Sequence, residues 1–457
     1  MAAAAAVIAG PRSSASQVTL AQLFSRQRKE PGGKAPLSAL ASGAAVASGV
    51  AASKRRPAVS PEQQLTRPAK RASCLAKPPD LATTSTAAFE EEPRPPKPRS
   101  DWFSKLFGFA EDDYEETKRW LRVTGKSPKF LESIVNGARY AVGDFETPTL
   151  GELREQGRGV SCCYGKLRVS NELGDVAAKH SSHENRHATF QVASQFNCLE
   201  FVGPNVTPED GVTGYVRDRT QGPACSIACG PATVYRNYFA PVHSLGTERR
   251  VLREGQAAQA QIDNLADFSR EVENEPPGRF FKVQGGYTMA SQRQLDALNA
   301  QLKLRGATER DAARAAVRIG VHADVQVTSS SWGSRLVTDP EQRVTQIFGS
   351  ACAVSYNRGS SRAAWQPMAT LILEASYEAT LWAALLAAQR HCEEEGSCRV
   401  FLTCIGGGVF GNSMEWIAQA MRRAFHQFRD RNLDVRIVTY AGEIDPHLLA
   451  LEREFGC

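Results

Sequence analysis

The order of apolar and polar positions divides the chain into about a hundred residues without period and a remainder in which short β-prone runs alternate with helical stripes. The clearest unit is RVFLTCIGGGVFGNSMEWIAQAMRRAFHQF. Val400, Phe401, Leu402 and Ile405 form an apolar run bounded by charge and glycine, which predicts a buried strand over 399–405. Ser413 stands as an N-cap, and Trp416, Ile417, Ala420, Met421, Ala424 and Phe428 recur at the spacing of one helix face. The same reading predicts an edge strand at 139–145, further strands at 167–176, 190–199, 321–328, 344–356 and 434–440, and a helix opening at 148–154. Helices are predicted over 207–219, 258–272, 292–304 and 365–390; Thr207, Pro208, Glu209 and Asp210 give the first its cap, its N1 proline and its acids against the dipole. Alternation of this kind implies an α/β fold, with helices on the faces of a sheet.

Composition changes the domain estimate. Residues 1–100 hold 12 of the 24 prolines and 15 Lys/Arg against 6 Asp/Glu, so the basic character of the chain belongs to a tail expected to be disordered. The remaining 40 Lys/Arg and 43 Asp/Glu leave the rest at −3, which gives no reason to expect nucleic-acid binding by the folded part. Residues 101–160, rich in aromatics around a short helix, read as an accessory helical lobe, and 161–457 as the main α/β domain with an insertion near 240–340. The 11 cysteines are an odd number without CxxC pairs, as expected of reduced thiols inside a cell. No apolar run approaches the roughly 20 residues of a membrane span, so no membrane partner is expected. His180, His183 and His187 lie close in sequence, but no regular element converges them; no metal and no cofactor are expected.

Four glycines in the six residues from Gly406 to Gly411 exceed what a turn requires and allow a ligand to approach the backbone. With a helix start beside them they form a cradle for an anion such as a pyrophosphate. Gly406, Gly408 and Gly411 also satisfy GxGxxG, so an NAD-binding Rossmann-type enzyme is an alternative. That fingerprint belongs to the first βα turn of a sheet, whereas here only the strand at 434–440 and 17 residues follow. The P-loop Gly-Lys-Ser/Thr is missing.

A late strand, GxGxFG turn, helix and final strand instead resemble the ADP-ribose-binding macrodomain family over about residues 165–440. Gly174, Asp175 and Val176 match the family's Gly-Asp-Ile/Val, which implies that Asp175 bonds the adenine amine and that the Val176 backbone supports the base. Ala193, Ser194 and Gln195, with Asn197 two residues on, fall where the family's Ala-Ala-Asn contacts the distal ribose. The turn, Gly406, Gly407, Gly408, Val409, Phe410, Gly411 and Asn412, would hold the diphosphate. The resemblance implies a macrodomain-like three-layer sandwich, a mixed sheet flanked by helices, that binds ADP-ribose or a related adenine nucleotide. Catalytic branches hydrolyse ADP-ribose from a modified target. Of the acids after the second strand, Glu200, Glu209, Asp210 and Asp218, one could activate water as general base; Glu200 and Asp210, with Asn197, are the predicted catalytic set. Two departures stand out: the family's glycine-rich first loop is reduced to Phe201–Pro204, and Phe410 stands where some catalytic branches carry an acid, a residue suited to ribose packing.

Near the N-terminus, QVTLAQLF resembles the sliding-clamp-binding peptide called the PIP box. Gln17, Leu20 and Phe24 match it, and Leu23 replaces its first aromatic. The resemblance implies a sliding clamp as partner, engaged as one helical turn in a groove. Lys54–Arg56 and Lys70–Arg71, 13 residues apart, resemble a bipartite nuclear signal. The nucleus is therefore the expected location; the alternative is a chloroplast or mitochondrion, since the acid-free, Ala/Ser-rich start also has the composition of a transit peptide. Three readings follow: an ADP-ribosyl hydrolase in the nucleus, a non-catalytic reader, and an adaptor recruited to the replication clamp.

Overall fold

In the computed structural model, which describes residues 94–160, 164–244 and 249–456, three small two-stranded sheets accompany one mixed sheet of nine strands. In chain order they are β1 (Leu121–Thr124), β2 (Lys129–Ser133), β3 (Arg139–Glu146), β4 (Arg168–Leu173), β5 (Thr189–Ala193), β6 (Gly320–Gln326), β7 (Arg343–Gly349), β8 (Arg399–Leu402) and β9 (Asp434–Thr439). Across the sheet they lie β1-β2-β3-β6-β7-β5-β8-β9-β4. The first four pairings are antiparallel and the last four parallel. Parallel strands need both faces covered, and β5 accordingly buries Thr189, Phe190, Gln191 and Val192.

Helices cover both faces. They are α1 (Trp102–Phe107), α2 (Tyr114–Arg119), α3 (Leu150–Gly157), α4 (Val176–Ser181), α5 (Gln221–Ala228), α6 (Gly230–Tyr238), α7 (Ala266–Glu271), α8 (Gln292–Leu304), α9 (Ala307–Ala315), α10 (Arg362–Arg390), α11 (Met414–Gln427) and α12 (Pro446–Phe455). One buried cluster joins α3, α8, α10, α11 and α12 through residues such as Leu153, Leu298, Leu381, Ile417 and Leu451. A second joins α1, α5 and α6 to the opposite face through Phe103, Ile227 and Tyr238. The result is the expected three-layer arrangement, a mixed sheet between helices. Helix α10 has the length and apolarity to cross a membrane, contrary to the sequence reading, but 83% of its most apolar window is buried inside the protein.

Several predicted elements change. Residues 121–146 contribute three strands to the main sheet, of which only the one at 139–145 was expected within the accessory helical lobe, and β3 is paired on both sides, not an edge. The predicted helix 207–219 is two short 3-10 turns, Pro208–Asp210 and Thr213–Arg217, because Gly211 adopts φ +76° between them. Of 258–272 only α7 is helical. The segment 221–238, which carried no element in the sequence reading, forms α5 and α6. The tail, with Gln17, Leu20, Leu23, Phe24 and both basic clusters, lies outside the described residues.

Candidate functional site

An α/β sheet receives ligands in the crevice beyond the carboxyl ends of its parallel strands. A cleft with an empty volume of about 780 Å³ lies there. Ala193 ends β5 at it and Ser194 follows, Ala351 follows β7, and Thr403 to Ile405 follow β8.

The glycine turn forms one wall through Gly406, Gly408, Val409 and Phe410. Its glycines differ in purpose. Gly406 (φ +72°) and Gly411 (φ +75°) take left-handed conformations, and a Cβ on Gly411 would lie 1.9 Å from Ser355 Oγ. Gly408 has open space around it. Asn412 is a brace: its Nδ2 donates to the carbonyls of Cys352 at 2.9 Å and Gly406 at 3.2 Å. Gly407 donates its N–H back to Cys404. Gly407, Gly411 and Asn412 therefore shape the turn without lining the cleft. The N–H groups of Gly408, Val409 and Phe410 donate to no described group, so three successive donors stand ready for an anion.

The facing wall is the start of α5. Gln221 accepts from Ala193 N–H at 2.8 Å and donates to Gln191 C=O at 2.8 Å, capping the end of β5. Gly222 is required by closeness, because a Cβ there would stand 2.1 Å from Ala193 O and 2.3 Å from Glu200 Oε2. That approach fixes the Glu200 carboxyl against the helix start. Glu200 is 1% exposed and its Oε1 has no hydrogen-bond partner. Burial pushes its carboxyl well above the usual carboxylate range; the buried Arg236 charge pulls the other way without overcoming it. Its backbone N–H donates to Tyr215 Oη at 2.8 Å. Asp218 also lines the cleft but is only half-buried, accepting from Thr220 N–H at 3.1 Å. The cleft thus holds two carboxyl groups in different environments.

The loop carrying this wall is fixed from the N-terminal segment. Glu111, 5% exposed, accepts from Val212 N–H at 2.8 Å, Thr213 N–H at 2.6 Å and Tyr238 Oη at 2.8 Å. An aromatic group closes the far side, with Phe410 5.2 Å from Tyr287 and 5.6 Å from Tyr356 between ring centroids.

Of the predicted residues, Gln195 and Glu200 line the cleft with the turn. Asn197 does not. It is fully buried, its Nδ2 donating to Gln261 Oε1 at 2.8 Å and its Oδ1 accepting from Leu199 N–H at 3.1 Å. The hairpin Lys282–Gln284/Tyr287–Met289 covers it: Phe196 N–H donates to Gly286, and a Cβ on Gly286 would lie 2.8 Å from the Asn197 side chain. Asp210 is exposed and spent on a capping box with Thr207, so its predicted catalytic role is withdrawn together with that of Asn197. Glu209 accepts from Ala258 N–H. Asp175 and Val176 stand at the carboxyl end of β4, on the same edge of the sheet as the cleft but outside its lining; Asp175 caps α4 through Ala177 N–H at 2.8 Å.

Sequence reasoning missed Gln221, Gly222, Tyr287 and Tyr356. The Gly285-Gly286 pair is a two-residue hairpin signal that would have marked the segment carrying Tyr287.

No protein-family model matches the chain. No curated protein matches it. Solved structures similar to it include poly(ADP-ribose) glycohydrolase from Deinococcus radiodurans in complex with ADP-ribose, 14% identical, covering 68% of this chain and 93% of that one at a TM-score of 0.37. Poly(ADP-ribose) glycohydrolase from Thermomonospora curvata is 14% identical and covers 75% and 96% at a TM-score of 0.34. The latter enzyme bound to the inhibitor ADP-HPD gives 14%, 75% and 96% at a TM-score of 0.32.

Proposed function

We propose that the cleft binds ADP-ribose or a related adenine nucleotide and hydrolyses the glycosidic bond that joins ADP-ribose to a modified target. One observation carries this reading: three unpaired N–H donors and a buried carboxyl, which burial shifts toward its protonated form, line a single cleft. The donors of Gly408 to Phe410 take the diphosphate, and the phenyl ring of Phe410, backed by Tyr287 and Tyr356, packs on a ribose. The unpaired Glu200 oxygen donates its proton to the leaving oxygen as the glycosidic bond breaks. Asp218, at the wetter side, takes a proton from the water that adds to the anomeric carbon.

The adenine would extend over the ends of β8 and β9 toward Asp175. Calorimetric titration of the full chain with ADP-ribose, NAD and ATP tests this, with saturable ADP-ribose binding expected. Asp175→Ala should weaken it about tenfold, the worth of one hydrogen bond to a charged group. Asp175→Asn, which keeps the α4 cap, separates loss of the contact from loss of the helix start; an unchanged affinity in both would place the base elsewhere. Binding without release of ADP-ribose from an ADP-ribosylated protein would make the protein a reader.

The tail adds a proposed recruitment device. A peptide of residues 14–30 should bind a sliding clamp in a fluorescence anisotropy titration and lose that binding on Phe24→Ala. Equal binding by both peptides would remove the clamp from the reading.

A further inference from the structure

His187, Asp324 and His391 come from three distant parts of the chain to one point at the edge of the sheet opposite the cleft. His187 lies two residues before β5, His391 caps the carboxyl end of α10, and Asp324 sits in β6. Their donor atoms lie within 4.8 Å of one another. Two of the three residues hold left-handed backbone, which disfavours any residue with a Cβ: His187 at φ +61° and Asp324 at φ +57°. At Asp324 this accompanies a shift in register between His322 and Val325 against β7. The imidazoles of His187 and His391 stack with centroids 3.9 Å apart at 21°, and both turn a nitrogen toward Asp324 Oδ1. His391 Nε2 is 2.6 Å from that oxygen and His187 Nδ1 is 3.7 Å from it. The second distance is too long for a hydrogen bond, and His187 Nδ1 has no other partner although it is buried. Donors around a tetrahedral zinc ion with bonds of about 2.0–2.1 Å lie about 3.3 Å apart, a value that the two distances bracket.

We propose that His187, Asp324 and His391 bind one divalent transition-metal ion, zinc by ligand type, with water completing its shell. Two imidazoles and one carboxylate suit zinc over magnesium or calcium, which prefer all-oxygen sites. The side chains are 14%, 26% and 22% exposed, so the site is open to solvent on one side. Arg390 is the cation nearest this group and also faces Glu146. The ion would clamp the entry to β5, the middle of the sheet and the end of α10, a structural role remote from the cleft.

The experiment uses the full chain, freed of metal by a chelator and titrated with zinc chloride. One equivalent should bind and raise the melting temperature by about 3 °C or more at a hundredfold excess over Kd. His391→Ala and His187→Ala should each weaken binding roughly 100-fold or more, beyond what loss of a supporting partner costs. Cys392→Ser, which alters the exposed thiol beside His391, should leave it intact. Cobalt bound to the unaltered chain should show visible d–d bands without thiolate charge transfer, a readout that needs no folded variant. Absence of zinc binding, binding unaffected by both histidine substitutions, or thiolate charge transfer would each overturn the proposal.

Discussion

Glu200→Gln should release ADP-ribose about 10²- to 10⁴-fold more slowly than the unaltered chain while still binding it, the range attributed to one general acid. Glutamine keeps the shape of the buried carboxyl, so the wall formed with Gly222 and Ala193 stays in place. It cannot give up a proton. The split between lost turnover, read in a single-turnover release assay, and retained affinity, read by calorimetry, is what a merely structural carboxyl would not produce. Full turnover in the variant would remove Glu200 from the chemistry.

The same group sets a pH dependence of known sign. Burial raises the Glu200 carboxyl above its ordinary value, so its protonated, proton-donating form persists to higher pH than that of an exposed glutamate. Activity that depends on it is present below its folded pKa and lost as pH rises through that value, and Glu200→Gln should have no such falling limb.

The parts of this molecule legible in its sequence are those decided by neighbours along the chain. Ser413 accepts from Trp416 N–H, and Trp416, Ile417, Ala420, Met421 and Ala424 are buried, as their spacing requires. Helix α8 begins at the Ser291/Gln294 capping box and ends at Leu304, the predicted bounds. Strands β1 and β2 were missed because they are short and carry Arg122, Lys129 and Glu132, which cancel an apolar pattern. The site divides in the same way. The glycine turn is local and was found. Asn197 and Glu200 stand three residues apart in one polar loop, and nothing in that loop tells which faces a ligand. The hairpin turn at Gly286, some 90 residues on, covers Asn197, while Gly222 leaves room for Glu200 at the cleft wall.

Arg236→Met should destabilise the fold by about 3–5 kcal/mol, the combined cost of leaving several buried acceptors without their donor. Its guanidinium is 0% exposed and has no carboxylate within ion-pairing distance among the described residues. It is held by neutral acceptors: Cys198 C=O at 3.1 Å, Ser226 Oγ at 3.1 Å, Thr233 Oγ1 at 3.0 Å and His322 Nδ1 at 3.3 Å. It also lies over the Phe348 ring at 3.8 Å. Methionine fills much of the volume but leaves those acceptors dry and unpaired, and that loss dominates the expected cost. Urea unfolding should show a lowered midpoint at unchanged slope. Arg236→Lys, which keeps the charge and loses the planar fork, should recover part of the stability. The consequence reaches the cleft, because Arg236 is the main charge opposing the rise of the Glu200 carboxyl. Where Arg236→Met remains folded, the falling limb of the pH–rate profile should move to higher pH, whereas Arg236→Lys should leave it near its original position. A profile unmoved in the methionine variant would show that the two buried groups are not coupled, and that Arg236 serves the packing of α6 alone.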